Sequence, residues 1–455
     1  MSIFKRGSIR GRWNKEWDEE TVYRIGYYLI EVLHLKNIVI GQDGRNSSTE
    51  ICDALTRGLV RGGCSVFLLG EIDTPAISFA NIQGNYDGSI MITASHNPPE
   101  YNGLKISGRG ALVISKCNGL DFLESLIVNE VGPEIPGGLI ESVDLTDEYL
   151  ELFTEYQSEC GAVKCVVDCS NGMASVLIHR IVSELPGDYI IINDAVNGSF
   201  PAHGPDPTNE SNLKELKNRV LAEKADLGIC FDGDGDRTIF IDEKGRWISP
   251  SHILALIGLY YFKYFPDKKG GDDGVLYDAR SSNSVKEYIE ELGGKAYMCK
   301  TGHTAMQFGI PEHDGIFGGE LPGHYYYRDF HSLDNGWIPF FQIQTVLSLE
   351  KKPLSTIIDR INRYYFSGER NFKLPENIIE NNKFIETFLE RYKAGKVTSL
   401  DGIRIDYEDW WFLVRTANTE PILRLVVEGR TMGLMKEKVE ELASIIYSLG
   451  GSEHL

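Results

Sequence analysis

The strongest constraint on this chain is a recurring order of segments: a short apolar run, a turn rich in small residues, an amphipathic stretch, and another apolar run. NIVIGQD (37–43), TEICDALTRGLVRGG (49–63) and CSVFLLG (64–70) make one such unit, with Gly62 and Gly63 where a helix should stop. SIMITA (89–94) adds a further strand that runs straight into Ser95. KCVVDCSNGMASVLIHRIVSEL (164–185), YIIIND (189–194), NLKELKNRVLAEK (212–224) and ADLGICFD (225–232) repeat the pattern. GVLYDARSS, VKEYIEELGG and KAYMCK, between 274 and 300, repeat it again. Strands joined through helices point to parallel sheets covered on their faces. From about residue 370 the order changes. A helix (NKFIETFLERYKAG) precedes a run of strands, and LMKEKVEELASIIYSLGG closes as a helix, with GSEHL expected as a frayed tail. The prediction is an α/β fold: three related α/β domains (1–150, 151–253, 254–368) and a smaller C-terminal α+β domain (369–455).

A chain of 455 residues is long enough for several cores. Its net charge of -20 argues against nucleic acid or a membrane surface as partner, because phosphate backbones would be repelled. A small anionic substrate is compatible, provided local Arg, Lys and backbone N–H groups overcome the surrounding field. The start, MSIFKRGSIRGRW, has no apolar signal region, and HILALIGLYYF from 252 is too short to span a bilayer. A cytoplasmic protein is expected, and its eight cysteines read as reduced thiols. A zinc site at Cys160, Cys165 and Cys169 is the weaker reading, because no CxxC pair is present.

Four loops carry chemistry. In TASHNPP the flank of Ser95 lacks GxSxG, so a hydrolase elbow is not supported. TASHN alone leaves open a capped turn or a functional serine. In DGDGDR, Asp232, Asp234 and Asp236 would repel one another unless a cation gathers them, and the intervening glycines let the backbone converge their oxygens. Oxygen ligands select Mg²⁺ or Ca²⁺. Asp232, Asp234, Asp236 and Glu243 match an EF-hand spacing, but Arg237 stands where that loop needs glycine and the flanks read as strands. In GELPGH, Glu320 sits on a Gly/Pro loop suited to sugar hydroxyls, although taken alone a tight turn joining two strands, with Glu320 exposed, is the stronger reading. In RTANTEP, Arg415, Thr416, Asn418 and Thr419 offer a guanidinium, two hydroxyls and an amide, a plausible phosphate cradle or a simple hairpin turn.

In this order, and along nearly the whole chain, these loops resemble the α-D-phosphohexomutases, the phosphoglucomutase/phosphomannomutase family. IRG (9–11), IGQDGRNSS, TASHNPPEYNGLKIS, HGPDPTNE, DGDGDR, KTGH, GELPGH and RTANTEP carry the resemblance. It implies four domains around a central cleft and interconversion of hexose 1-phosphate and 6-phosphate through a hexose 1,6-bisphosphate. Ser95 would carry the phosphoryl group. Asp232, Asp234 and Asp236, with an oxygen on Ser95, would hold Mg²⁺. Lys105, past an expected Asn102–Gly103 turn, would assist proton transfer, Arg10 and Arg237 would stabilise the moving charge, and His96 would orient the phosphoserine. Lys300, His303, Glu320 and His324 would contact the sugar, and Arg415, Thr416, Asn418 and Thr419 its non-reacting phosphate. The expected partner is a small sugar phosphate and the expected state a monomer or homodimer. Relatives usually carry Ser at Pro322, which bears on substrate choice, and at Ala417, where the lost donor would weaken phosphate binding unless Thr416 replaces it. Glucose and mannose phosphates come first, with glucosamine phosphate, or a catalytically weak sugar-phosphate-binding relative, as alternatives.

Overall fold

The computed structural model describes residues 2–375, 378, 383–416 and 422–454. They group into two compact units, one of residues 1–248, 322–325 and 333–355, the other of 249–321, 326–332 and 356–455. The architecture is three mixed α/β domains followed by an antiparallel C-terminal domain. No helix among the described residues is long and apolar enough to cross a membrane.

The first unit holds two sheets. In the first, Asn37–Gln42 lies between Gly88–Ile92 and Ser65–Glu71, parallel to both, as the βαβ pattern requires. Tyr101–Gly108 returns antiparallel to Gly88–Ile92, and Ile9–Arg12 pairs antiparallel with it on the outside. In the second sheet Val163–Asp168 runs parallel to Gly187–Ile192 and Leu227–Phe231, and Thr238–Asp242 turns back against the latter. Isoleucine, valine and leucine fill the strand positions, so burial on both faces supplies the stability, at about 25 cal/mol per Å² of apolar area removed from water. Helix Trp337–Glu350, which the strand–helix alternation does not foretell, is apolar on all sides and buried along most of its length. Its Trp337 ring lies 4.5 Å from Phe231, directly before the aspartate loop.

In the second unit, Gly274–Asp278 is flanked in parallel by Lys295–Cys299 and Gly315–Gly319. The C-terminal sheet runs Lys396–Thr398, Ile403–Asp406, Trp410–Thr416, Ile422–Gly429, Tyr365–Lys373, Ser452–His454, each pair antiparallel where register is defined. Helix Met432–Ser448 packs on it, started by Thr431, whose side chain accepts the Leu434 N–H. The tail corrects one expectation. Ser452–His454 is an edge strand paired with Asn371–Lys373, not a frayed end. Gly450, at φ +84°, reverses the chain so that the tail meets the open hydrogen-bonding groups of that strand.

The cysteine reading is sharpened. Cys165 and Cys169 are free thiols buried in and just after a strand, with burial holding both far above the usual thiol range. Cysteine belongs to no candidate metal cluster among the described residues.

Candidate functional site

Strand Gly88–Ile92 ends three residues before Ser95, and Ser95 takes up left-handed backbone at φ +51°. A non-glycine residue holds that conformation only where its surroundings impose it. The Ser95 N–H donates to Thr93 Oγ1 (2.8 Å), and its hydroxyl donates to Asp232 Oδ2 (2.9 Å), 137 residues further along the chain. His96 Nδ1 lies 3.2 Å from the same hydroxyl, and burial, with Arg237 and Arg10 nearby, holds its pKa well below 6.5. Arg10 reaches the loop from strand Ile9–Arg12 and donates from Nη1 to Asn97 Oδ1 (2.8 Å). Burial lowers its guanidinium to about 10. The expected turn at Asn102–Gly103 is absent. Both residues lie inside strand Tyr101–Gly108, and the reversal comes earlier, over 96–100. Gly103 is needed for close approach: a Cβ there would stand 2.3 Å from the Ile9 carbonyl oxygen and 2.9 Å from that of Thr93. That closeness brings the Arg10 strand and the serine loop together.

The DGDGDR loop follows strand Leu227–Phe231, and Gly235 at φ +75° folds it back. Ligand oxygens of Asp232, Asp234 and Asp236 fall within 4.8 Å of one another, all buried. Lys105 Nζ is 2.7 Å from Asp234 Oδ2 and pairs with Asp236 as well. Burial depresses the Lys105 ammonium, but Asp234, Asp236 and Asp232 outweigh it and the net shift is upward. Burial raises the Asp232 carboxyl far above its usual range, reinforced by Asp236 and Asp234. Asp234 ends below its usual range, because Lys105 overcomes its burial. Asp234 Oδ1 and Asp236 Oδ1 are buried without a hydrogen-bond partner among the described residues. Buried carboxylate oxygens left unpaired are costly, and a divalent oxygen-seeking cation would satisfy them, so these residues fit such an ion. Gly233 fixes the contact between the two loops: a Cβ there would sit 2.6 Å from the Ser95 carbonyl oxygen.

Arg237 Nε donates to His324 Nε2 (2.9 Å). A guanidinium can only donate, so Nε2 accepts and Nδ1 carries the proton given to Asp334 Oδ2 (2.7 Å). His324, expected beside Glu320 at a sugar, is thus committed to Arg237 and Asp334. The Thr238 N–H bond to the Gly323 carbonyl (3.1 Å) pins its loop to the aspartate strand.

The second unit holds the other predicted residues. Glu320 is buried, not exposed on a turn, and accepts from the Gly302 N–H (2.6 Å) and Tyr326 hydroxyl (2.7 Å). His303 stands edge-on to Tyr326, with ring centroids 5.5 Å apart, and Lys300 is exposed. Arg415 is buried, and its Nη2 donates to Glu369 (2.9 Å), which also holds Arg424 (2.8 Å). Thr416 ends the same strand, half-buried. Asn418, Thr419 and the unusual Ala417 lie outside the described residues.

Several contributors escaped sequence reasoning. Thr74 grips Asp234 twice, through Oγ1 to Oδ2 (2.7 Å) and through its N–H to the Asp234 carbonyl (2.9 Å). Arg280 pairs with Asp278 and lies 3.7 Å from Glu320 Oε1. The Leu321 N–H donates to Asp278 (3.0 Å). One signal could have found the last pair: Asp-x-Arg at a strand's C-terminal end occurs twice, in IGQDGR and LYDAR, where α/β sheets place ligands.

Four family models match in succession: phosphoglucomutase/phosphomannomutase α/β/α domain I (residues 1–118), domain II (147–245), domain III (249–364) and the C-terminal domain (369–445). The chain is 33% identical to a phosphomannomutase of Escherichia coli strain K12, over 98% of this chain and 99% of that one. It is 32% identical to a phosphomannomutase/phosphoglucomutase of Pseudomonas aeruginosa, over 98% and 94% of the two chains. Among solved structures, a phosphoglucomutase/phosphomannomutase family protein of Burkholderia thailandensis superposes with a TM-score of 0.87 at 26% identity, covering 100% of this chain and 99% of that one. The N-acetylphosphoglucosamine mutase of Aspergillus fumigatus, solved with GlcNAc-6P and magnesium, shares the fold at 14% identity and a TM-score of 0.63, over 98% and 96% of the two chains.

Proposed function

The chain belongs to the phosphoglucomutase/phosphomannomutase family and is a phosphohexose mutase, and from that premise we propose that it works through a phosphorylated Ser95. The observation that carries this reading is the Ser95 hydroxyl donating to Asp232, one of three clustered carboxylates. A carrier oxygen in contact with a cation cradle suits phosphoryl transfer and little else.

The proposed substrates are glucose and mannose phosphates, in keeping with the names of the bacterial relatives, and the proposed ion is Mg²⁺, held by Asp232, Asp234 and Asp236. The magnesium bound by the Aspergillus relative supports that choice. When bound, the ion offsets phosphate charge and polarises the phosphorus. In the first half-reaction a sugar hydroxyl oxygen bonds to the phosphorus of phosphoserine while the P–Oγ bond breaks. The electron pair stays on Oγ, which takes a proton from the Lys105 ammonium, and the attacking hydroxyl returns one. Arg10 and Arg237 balance the three equatorial phosphoryl oxygens. His96, kept neutral, orients the phosphate. The hexose 1,6-bisphosphate turns over and gives its other phosphate back to Ser95 by the same steps reversed, so no phosphate is consumed. Glu320 reads sugar hydroxyls with lone pairs left by Gly302 and Tyr326, helped by Lys300 and His303. Arg415, with Thr416, Asn418 and Thr419, grips the non-reacting phosphate after exchanging Glu369 for it. His324 acts by aiming Arg237. The proposed domain limits are 150, 253 and 368, and the proposed location is the cytoplasm.

Intact-mass spectrometry tests the reading. With Mg²⁺ and glucose 1,6-bisphosphate the wild type should gain one phosphate and Ser95→Ala none, and Ser95→Ala should lose at least about a thousandfold in interconversion of sugar phosphates. A Ser95→Ala protein that kept its rate would refute it.

A further inference from the structure

The guanidinium of Arg45 is wholly buried, and each of its N–H groups points at a partner. Nε donates to Asp43 Oδ2 (3.0 Å). Nη1 donates to the carbonyls of Pro98 (2.8 Å) and Tyr101 (3.0 Å), and Nη2 to those of Ser95 (2.7 Å) and Asn97 (2.7 Å). One planar fork therefore holds four carbonyls of a seven-residue loop that contains no regular secondary structure before Tyr101. The Phe200 ring covers it at 5.0 Å.

The anchor is itself anchored. Asp43 Oδ1 accepts from the Arg45 N–H (3.1 Å) and the Ser48 hydroxyl (2.6 Å), and its own N–H donates to the Ile92 carbonyl (2.9 Å). Thr93 stands beside both: it accepts the Ser95 N–H at 2.8 Å, and its side chain helps to hold the Asp43 carboxyl down against burial. Ser95 is thus held at both ends of its peptide unit, N–H by Thr93 and C=O by Arg45, in a left-handed conformation it would not choose freely.

We infer that Arg45, braced by Asp43 and acting together with Thr93, is a positioning residue for phosphoryl transfer: it fixes the backbone of Ser95 so that Oγ meets the aspartate loop in one orientation. This rests on Ser95 being the phosphoryl carrier. A lysine cannot substitute. Its three tetrahedral donors cannot serve four carbonyls and a carboxylate arrayed around a plane, so the geometry, not the charge, is what Arg45 supplies. A loosened serine is phosphorylated slowly. A bisphosphate waiting for it also dissociates more often before giving its phosphate back. A residue that only stabilised the fold would change neither at a temperature where the protein stays folded.

The test uses the full chain with Mg²⁺ and glucose 1,6-bisphosphate, comparing wild type, Arg45→Lys, Arg45→Met and Thr93→Val. Circular dichroism first sets a temperature at which each is folded. Rapid-quench mass spectrometry then gives the rate of Ser95 phosphorylation, and labelled glucose 1-phosphate gives the fraction of turnovers that release bisphosphate. Both Arg45 variants should slow phosphorylation about a hundredfold and raise the released fraction, as a misplacement of about 1 Å does. Thr93→Val, nearly isosteric, should slow it about tenfold, the worth of one hydrogen bond. If the Arg45 variants do not fold, Thr93→Val decides. A folded Arg45→Lys, or Thr93→Val in its place, with wild-type phosphorylation and release overturns the inference. Wild-type protein that takes up no phosphate on Ser95 overturns it together with the carrier reading.

Discussion

The serine site of the first unit and the Lys300 and Arg415 groups of the second differ in how tightly they are held. In the first, nearly every group at the serine has two or more partners: Asp234 has Lys105 and Thr74, His324 has Arg237 and Asp334, and Ser95 is tied at its N–H, its C=O and its hydroxyl. In the second, Lys300 is exposed, and the Arg415 fork rests on Glu369, with Asp401 at 3.9 Å. Bond-making tolerates little misplacement, because orientation supplies much of the barrier reduction. Recognition of a phosphate or a hydroxyl tolerates more, since a flexible donor can follow its acceptor. The largest predicted effect tests the tight side. Asp236→Asn removes one carboxylate of the cradle, and the rate should fall by about a thousandfold or more. Chelation by EDTA should do the same and reverse on adding Mg²⁺. Activity that survived exhaustive chelation would mean the cradle serves the fold and not the reaction.

The second unit also has a fully locked arginine, and it separates rigidity from chemistry. Arg404 is wholly buried, stacked 3.6 Å from the Trp411 ring centroid. It donates to the carbonyls of Ala279 (2.9 Å) and Ser281 (3.0 Å), to Asn283, and to Asp406 on its own strand. It ties the C-terminal sheet to the Asp278–Arg280 loop. Removing one partner of a buried ion pair costs about 3 to 5 kcal/mol. Arg404→Met should lose stability in that range, read from urea unfolding, while the Ser95 phosphorylation rate at a temperature where it is folded changes little. A large drop in that rate would show that the two units are not independent in the chemistry.

The sequence made the candidate reacting groups legible because chemistry restricts such groups to a few residue types at fixed spacing. Asp232, Asp234 and Asp236 lie on one loop, so their convergence is a local matter of Gly233 and Gly235. Alternating apolar and amphipathic segments placed most of the parallel strands, but not Ile140–Ser142 or Gly315–Gly319, which are short or glycine-rich. What could not be read depends on distant pairings. Arg404 looks like an ordinary surface cation until the fold buries it against carbonyls far away in the chain, and the Asp-x-Arg pattern at Arg45 does not say which carbonyls it will hold. Asn102–Gly103 has the composition of a turn, but a neighbouring strand needs the missing Cβ and overrides it. The GSEHL tail has little intrinsic strand preference, and the edge of a sheet recruits it.

The looser phosphate side gives the next effect. Glu369 holds both Arg415 and Arg424, so on the proposed reading an incoming phosphate would displace a carboxylate. Glu369→Gln keeps the shape and removes the competing charge. KM for the sugar phosphate should fall about three- to tenfold, the worth of a partly exposed ion pair, with the Ser95 phosphorylation rate unchanged. A KM that rises instead would mean Glu369 is needed to aim the arginine.

The smallest effect contrasts two histidines, one from each unit. His203 in the first is bonded to Asp168 (3.1 Å) and to the Gly204 carbonyl. Burial lowers its pKa, but Asp168 wins and the net shift is upward from 6.5. The folded state therefore binds the proton more tightly than the unfolded chain does. That stability is present in full below about pH 6.5 and is lost as pH rises through the folded value. The His252 imidazole in the second unit makes no hydrogen bond among the described residues, and burial alone lowers it to about 4. Here the unfolded chain binds the proton first, so stability is present above about pH 6.5 and is lost as pH falls toward 4. Between pH 7 and pH 6 each contribution changes by less than about 1 kcal/mol, and the two have opposite sign. Urea midpoints at pH 6 and pH 7.5 separate them. His203→Gln should lose more relative to wild type at pH 6 than at 7.5, whereas His252→Leu should gain on wild type at pH 6. If both variants tracked wild type at both pH values, pairing in one unit and its absence in the other would make no difference to how the protein responds to protons.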